Sequence, residues 1–289
     1  MNRRQALELI AAGSLAACSR AASSTRGASM NEKKTSDRMP AIFLAHGSPL
    51  LLDDGAWVDE LGRWAHALPK PKAVLMISAH WTRDPVTIGA TRTVPLVYDF
   101  YGFPSRYYET KYAAPGAPEL ATRIRDLVPG AASDPERGLD HGAYIPMVAM
   151  WPAADVPTLQ ISIPTMDAPP LLALGKTLAP LRDEGVLIVG SGFLTHNMRS
   201  IDFEGRSKPP SWATEFDAWS EDALRRRDES ALATYRTKAP GVQMALPTHE
   251  HFVPALVAAG ASFGHDERVT FPITGFTYGS FTKRSVQFG

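Results

Sequence analysis

Histidines with the potential to bind a metal stand at three comparable places in this sequence. His46, His80 and His196 each lie just beyond a short apolar run that ends in small or turn-forming residues. Such runs predict strands buried on both faces. Open α/β sheets bind their ligands at the carboxyl ends of their strands. The three imidazoles are therefore predicted to converge at one edge of a sheet, where they could hold a metal ion.

The other five histidines have different surroundings. His141 lies between an aspartate and a glycine ahead of an apolar stretch, so it is a candidate for binding or proton transfer, with a structural role as the alternative. His249 and His251 share a proline-bounded loop, and alternate side chains of an extended segment cannot converge on one ion. Only one of these two is expected at a site, and the spacing leaves open which. His66 and His265 are expected at the surface.

Strand and helix patterns alternate along the chain from about residue 39. Strands alternating with helices predict an α/β fold, here a single domain with a central mainly parallel or mixed sheet covered by helices on both faces. The metal site is expected at the carboxyl ends of the strands. The predicted strands are 41–45, 74–79, 156–163, 186–189 and 269–276, and the main predicted helices are 57–68, 118–128, 171–181 and 212–227.

A dense aromatic segment interrupts this alternation. Residues 98–104 read Tyr-Asp-Phe-Tyr-Gly-Phe-Pro, which is too rich in glycine and proline for a regular element. This loop could form the wall of a pocket for an aromatic substrate. The alternative is a hydrophobic cluster beneath a long loop.

Composition narrows the possible partners and metal ligands. The 289 residues carry no formal net charge, which gives no reason to expect nucleic acid as a partner. A single cysteine, Cys18, excludes internal disulfides and a thiolate-rich zinc finger. Metal ligands would have to be histidines and carboxylates. No feature of the sequence indicates an oligomeric state.

The first 38 residues have the character of a targeting segment. Arg3 and Arg4 precede a short apolar run, and the run ends in Leu-Ala-Ala-Cys18. This order predicts a twin-arginine-like or lipoprotein signal peptide over 1–18, with Cys18 as a lipid-bearing membrane tether. Residues 19–38, rich in serine, alanine, lysine and threonine, are predicted to be a disordered tether. The protein is thus expected in the periplasm or anchored to a bacterial membrane, with a cytoplasmic location as the alternative.

Six short motifs occur together and in order from about Met39 to Gly289. They are Ala45-His46-Gly47-Ser48-Pro49, Ser78-Ala79-His80-Trp81, the aromatic segment 98–104, Asp140-His141-Gly142, Gly190-Ser191-Gly192 with Thr195-His196-Asn197, and His251-Phe252-Val253-Pro254. In this combination the chain resembles the 4,5-DOPA dioxygenase extradiol family. That family belongs to the superfamily of class III extradiol ring-cleaving dioxygenases. The resemblance makes 39–289 the catalytic domain.

The resemblance implies an enzyme that opens a catechol ring beside its two hydroxyls, using non-haem ferrous iron and molecular oxygen. It implies that His46, His80 and His251 are metal ligands. His196 corresponds to the acid/base residue, which can also become a fourth ligand to bound zinc. His141 corresponds to a further active-site histidine that contacts substrate or oxygen. An unperturbed imidazole pKa near 6.5 suits His196 to moving protons at neutral pH.

The all-histidine ligand set leaves two other functions open. Many iron oxygenases use two histidines and a carboxylate, whereas three or four histidines also suit zinc. One alternative is therefore a zinc-dependent hydrolase that acts through metal-bound water. However, the sequence contains no His-Glu-x-x-His motif. The other alternative is a non-catalytic metal-binding lipoprotein of the periplasm.

Overall fold

The computed structural model describes residues 38–289 of the chain. The predicted signal peptide, Cys18 and all of the predicted tether except Arg38 lie outside the described residues. The Arg38 guanidinium donates to the carbonyl oxygen of Ala179 at 3.0 Å. Among the helices described, none is both long enough and apolar enough to cross a membrane.

The described residues form an eight-stranded mixed sheet and a separate two-stranded ribbon. The sheet has the order β4-β3-β5-β2-β6-β1-β10-β7, and β8 pairs with β9. Its four central strands, β5, β2, β6 and β1, are parallel, while β10 and β7 add antiparallel strands at one side. The strands are β1 Ala41–Ala45, β2 Ala73–Thr82, β3 Thr87–Ile88, β4 Ala132–Ser133, β5 Thr158–Ile163, β6 Val186–Gly192, β7 Val269–Ile273, β8 Phe276–Thr277, β9 Phe281–Thr282 and β10 Ser285–Phe288.

Alternating side chains of the central strands supply two separate hydrophobic cores. In β1, Phe43 points into one core, while Ile42 and Leu44 point into the other. Because both faces of these strands are buried, their sequences are continuously apolar. The sheet is therefore covered by helices on both faces, and the predicted α/β architecture is confirmed.

Two helices, α3 and α9, begin near the carboxyl edge of the sheet, where the metal site is expected. Helix α3 packs on β2 and β6, and α9 packs on β1 and β6. The helices are α1 Gly55–Ala67, α2 Pro118–Leu127, α3 His141–Met150, α4 Ala168–Leu178, α5 Ser211–Arg226, α6 Glu229–Ala233, α7 Tyr235–Lys238, α8 Val242–Ala245 and α9 Val253–Gly260.

The structure differs from the sequence-based expectation in several details. The predicted strand 269–276 is divided between β7, which ends at Ile273, and β8, which begins at Phe276 in the separate ribbon. His80 lies within β2, which continues to Thr82, and not just beyond the strand. Three short helices occupy 229–245, where no element was predicted. Helices of four or five residues are too short to show a helical hydrophobic period, so their sequence carries little signal.

Candidate metal centre and cleft

Three histidines from distant parts of the chain meet at the carboxyl edge of the sheet. His46 directly follows β1, His80 lies near the end of β2, and His251 lies in the turn before α9. The ligand nitrogens of these residues all lie within 4.8 Å of one another, and the Nε2 atoms of His46 and His80 are 3.2 Å apart. The structure thus brings His46 and His80 together at this edge.

Two glycines make this close approach possible. A Cβ atom on Gly192 would lie only 1.9 Å from the carbonyl oxygen of His251. A Cβ atom on Gly142 would lie 2.8 Å from Cδ2 of His80 and 3.0 Å from Nδ1 of His46. Real Cβ atoms do not approach other atoms so closely, so each position requires a residue without a side chain. Both glycines thus help to set the spacing of the histidines.

Each of the three imidazoles has an oxygen atom beside its Nδ1. Ser191 donates its hydroxyl proton to the carbonyl oxygen of Gly142, so it accepts a hydrogen bond from His46 Nδ1 at 3.0 Å. His80 Nδ1 lies 3.4 Å from a carboxylate oxygen of Asp99, and His251 Nδ1 lies 3.1 Å from Glu250 Oε1. These partners favour the tautomer that carries its proton on Nδ1, leaving the Nε2 lone pair free. Metal-binding histidines commonly have such a partner.

Burial keeps these imidazoles uncharged at neutral pH. Desolvation, followed by the neighbouring histidines, lowers the pKa of His46 and His251 well below its usual value. Burial and the nearby His141 lower the pKa of His80 to about 4. A metal ion binds neutral imidazole, so the cluster is ready to bind a cation without first losing protons.

Asp99 joins His80 to His141, the first residue of α3. One Asp99 oxygen accepts hydrogen bonds from the backbone N–H and Nδ1 of His141, at 3.0 and 2.8 Å. Burial of Asp99 raises its pKa, but the hydrogen bonds from His141 outweigh this and lower it to about 2. The sequence analysis treated Asp99 only as part of the aromatic loop. No spacing signal marked it, because its partners lie about 20 and 40 residues away in the chain.

A second carboxylate, Asp140, fixes the start of α3. Its fully buried side chain accepts a hydrogen bond from the Ser78 hydroxyl at 2.7 Å and from the Ala143 N–H at 3.1 Å. Arg137 and the Gln160 amide donate to its other oxygen. Asp140 thus caps α3 while bonding side chains of β2 and β5. This network holds His141 beside the metal-binding histidines.

His196 stacks against His251 on the open side of the cluster. Their ring centroids are 3.4 Å apart and their planes differ by 9°. His196, Glu250 and His251 also form a group whose ligand atoms are close enough to share an ion. Burial lowers the pKa of His196 to about 4, although the nearby Glu250 carboxylate opposes this shift. The position of His196 is compatible with both expected roles, an acid/base residue and a fourth ligand.

The remaining histidines lie elsewhere. The His249 ring packs edge-on against Tyr235 at 5.4 Å, and His249 is not part of any potential metal-binding group among residues 38–289. Of the two histidines in this loop, the structure therefore places His251 at the site. His66 and His265 are exposed, as expected.

A cleft of about 640 Å³ opens above the five clustered histidines, a size typical of small-molecule sites. Phe100, Tyr101 and Phe103 of the aromatic segment line it on one side. Phe193 and Phe281 contribute apolar surface near His196. Residues 100–104 therefore supply part of a cleft wall, while Tyr98 and Phe100 also pack on the hydrophobic core, so features of both interpretations are present.

We expect Gly142→Ala to weaken metal binding. The new methyl group would lie 2.5 Å from Ser78 Oγ and would also press on His80 and His46, and disturbing the partners of metal ligands typically lowers metal affinity by roughly 10- to 100-fold. Gly62→Ala is a matched control because its Cβ would meet only a carbonyl oxygen at 3.7 Å. Titration of both variants with Fe(II) and Zn(II), alongside circular dichroism, checks this. Equal affinity in the two variants would contradict the steric argument.

We also expect the metal-free protein to lose stability as the pH falls from about 6.5 to about 4. In this window the unfolded chain binds protons at His80 and His196, whereas the folded chain does not, because its histidine pKa values are lower. Each such histidine contributes at most about 1.4 kcal/mol per pH unit. Urea unfolding at several pH values measures the slope. His80→Gln should reduce it, and His66→Gln, at an exposed position, is the control.

Comparisons with known proteins agree with this geometry. Residues 40–289 match the family model described as "Catalytic LigB subunit of aromatic ring-opening dioxygenase". A protein of Beta vulgaris named "4,5-DOPA dioxygenase extradiol" is 42% identical over 76% of this chain and 86% of its own length. A protein of the same name from Escherichia coli K12 is 37% identical over 88% of this chain and 96% of its own.

A solved structure resembles the fold as well. The crystal structure of an uncharacterised protein from Escherichia coli K12 superposes with a TM-score of 0.75 at 34% identity, covering 87% of this chain and all of that one. The family match spans the whole α/β domain and every histidine of the cluster. The chain therefore belongs to the LigB family of aromatic ring-opening dioxygenases, and it is an extradiol dioxygenase.

Proposed function

We propose that this enzyme uses ferrous iron, held by His46, His80 and His251, to cleave a catechol-type substrate beside its two hydroxyls, giving a semialdehyde of the muconic type. The observation that carries this proposal is the set of three converging, uncharged imidazoles at the base of an aromatic-lined cleft. The names of the relatives, which contain DOPA, support a catechol-type substrate. When bound, the metal would supply a Lewis-acidic and redox-active centre for catechol and dioxygen.

The residues around the three ligands would manage protons and orientation. A catechol must lose protons to bind a metal through its oxygens, and His196 lies beside His251 with an uncharged ring that can accept one. His141, oriented by Asp99, presents a second imidazole to the cleft 3.9 Å from the ring of His80. We assign proton transfer to His196 and contact with substrate or oxygen to His141.

Family membership favours the dioxygenase over the two alternatives raised by the ligand types. A zinc hydrolase and a non-catalytic metal-binding protein would both fit a cluster of histidines. Neither would account for a match to ring-opening dioxygenases over residues 40–289. Zinc could still occupy the same imidazoles in purified protein, because imidazole suits both metals.

Oxygen consumption tests the proposed reaction directly. Protein reconstituted anaerobically with Fe(II) should consume oxygen when given simple catechols, with a matching increase in absorbance from a yellow ring-opened product. A zinc-loaded sample is the control, because zinc has no redox chemistry and cannot replace iron in this step. Absence of oxygen uptake despite stoichiometric iron would count against the proposal.

His196→Ala should separate the two roles considered for that residue. If His196 transfers protons, the variant should retain its iron and lose about 10²-fold or more in turnover. If it is an essential ligand, iron content should fall in parallel with activity. His66→Ala, at an exposed position remote from the site, is the control. Normal turnover of the His196 variant would show that the residue is not needed for proton transfer.

We further propose that the chain is exported and that Cys18 carries a lipid. The support is the order of Arg3, Arg4, a short apolar run and Cys18 in the sequence. Replacing both arginines with lysine should block export by a twin-arginine route, and Cys18→Ser should release the protein from the membrane fraction. Cell fractionation with immunoblotting measures both effects. Unchanged fractionation of both variants would leave the cytoplasmic alternative.

A further inference from the structure

We infer that the carboxylates of Glu250 and Asp99 supply, from behind the ligand imidazoles, the negative charge that the all-histidine ligand set lacks, and that they lower the Fe(III)/Fe(II) potential of the site. The inference rests on the proposed iron site. Many iron oxygenases place a carboxylate directly on the metal. His46, His80 and His251 are neutral ligands, so any corresponding charge would have to come from residues outside the ligand set.

Glu250 stands behind His251. Its Oε1 lies 3.1 Å from His251 Nδ1, and the Thr248 hydroxyl donates to the same oxygen at 2.8 Å. The Glu250 side chain is 30% exposed, so water screens its charge only in part. A carboxylate bonded to Nδ1 makes a metal-binding imidazole a stronger electron donor. The charge of Glu250 can therefore act on a metal through the ring of His251.

Asp99 has the same relation to His80. Its Oδ2 lies 3.4 Å from His80 Nδ1, while its Oδ1 accepts two hydrogen bonds from His141. Its side chain is 22% exposed. The third ligand, His46, has only the uncharged hydroxyl of Ser191 beside its Nδ1. Two of the three ligand imidazoles thus have a carboxylate behind them.

These two carboxylates lack a basic counter-ion within the protein. Among residues 38–289, the ion pairs of Asp99 and Glu250 are with histidines only, whereas the nearby Asp140 is paired with Arg137 at 3.2 Å. Two carboxylates beside neutral imidazoles have the charge that a divalent ion balances. Because electrostatic attraction grows with the charge of the ion, the pair would stabilise Fe(III) more than Fe(II). Glu250 and Asp99 are therefore positioning residues that act through His251 and His80.

Glu250→Gln tests the inference in the iron-loaded full-length protein without any catechol. Glutamine keeps the oxygen that accepts from Thr248 and His251, so the variant loses the charge and retains the contacts. We expect affinity for Fe(III) to fall at least roughly tenfold more than affinity for Fe(II). For a one-electron couple this raises the potential by at least about 59 mV. An anaerobic redox titration, followed by the electron paramagnetic resonance signal of Fe(III), measures the shift.

Glu119→Gln is the matched control. It removes the same charge at an exposed position beside Ala73, at the opposite end of β2 from His80, and it should leave the potential unchanged. Asp99→Asn should raise the potential, as Glu250→Gln does, and it carries the same test if Glu250→Gln does not fold. An unchanged potential in an iron-loaded Glu250→Gln protein would show that the carboxylate only orients the ring, and would overturn the inference.

Titration with Zn(II) separates a partner from a ligand. Glu250 belongs with His196 and His251 to one potential metal-binding group, so it could in principle bind an ion directly. As a partner of His251, its replacement should lower Zn(II) affinity by roughly 10- to 100-fold while one ion still binds. Complete loss of Zn(II) and iron from a variant that circular dichroism shows to be folded would make Glu250 a direct ligand, and would overturn the inference.

The same measurements keep this inference distinct from the proposed function. Failure of the unaltered protein to bind Fe(II) would overturn the proposed iron site itself. A normal iron site with equal potentials in Glu250→Gln and Glu119→Gln would overturn only the role given to the carboxylates.

Discussion

The arrangement of the site depends on keeping several buried imidazoles uncharged and aligned. Protonation of one ring would place a cation beside His46 and His251, which are almost fully buried. Desolvation prevents this by lowering their pKa values. At the same time, an oxygen atom beside each Nδ1 favours a proton there, so that the Nε2 lone pairs are left free to face the centre of the cluster. A site with these properties gains stability when a cation binds, because the cation pairs with lone pairs that would otherwise be left without a partner.

The fold meets this requirement through close backbone packing at the carboxyl edge of the sheet. The strands β1 and β2 both lie next to β6 in the sheet. His46, which follows β1, and His80, near the end of β2, therefore lie close together. Gly192 lets the turn containing His251 pack directly on β6, and Gly142 lets the first turn of α3 pack on β2. Asp99 and Asp140 then hold these segments together through their hydrogen bonds with His141 and Ser78. Stability and metal binding thus use the same contacts.

The cleft combines a polar base with an apolar wall, and the two parts have separate tasks. The histidines of the base are the groups that could hold a metal ion and, in the proposed reaction, move protons. The wall is formed by residues of the segments 48–50, 100–104, 198–203 and 278–281. Because loops tolerate substitution better than the strands and helices that hold the histidines, the family's chemistry can persist while the accepted substituent changes.

The sequence by itself determined the α/β class, the predicted strands of the sheet core and the candidate histidines His46, His80, His141, His196 and His251, because periodicity and short motifs are local properties. Residue spacing alone could not choose between His249 and His251, a choice that only the family resemblance made, and no sequence signal revealed Asp99, because both depend on which distant backbones meet. Nor could the sequence predict the short helices of 229–245, or that Met198 and Phe203 line the cleft. The short helices lack a hydrophobic period that a sequence could show, whereas the placement of Asp99, His249 and the cleft lining depends on contacts between segments far apart in the chain.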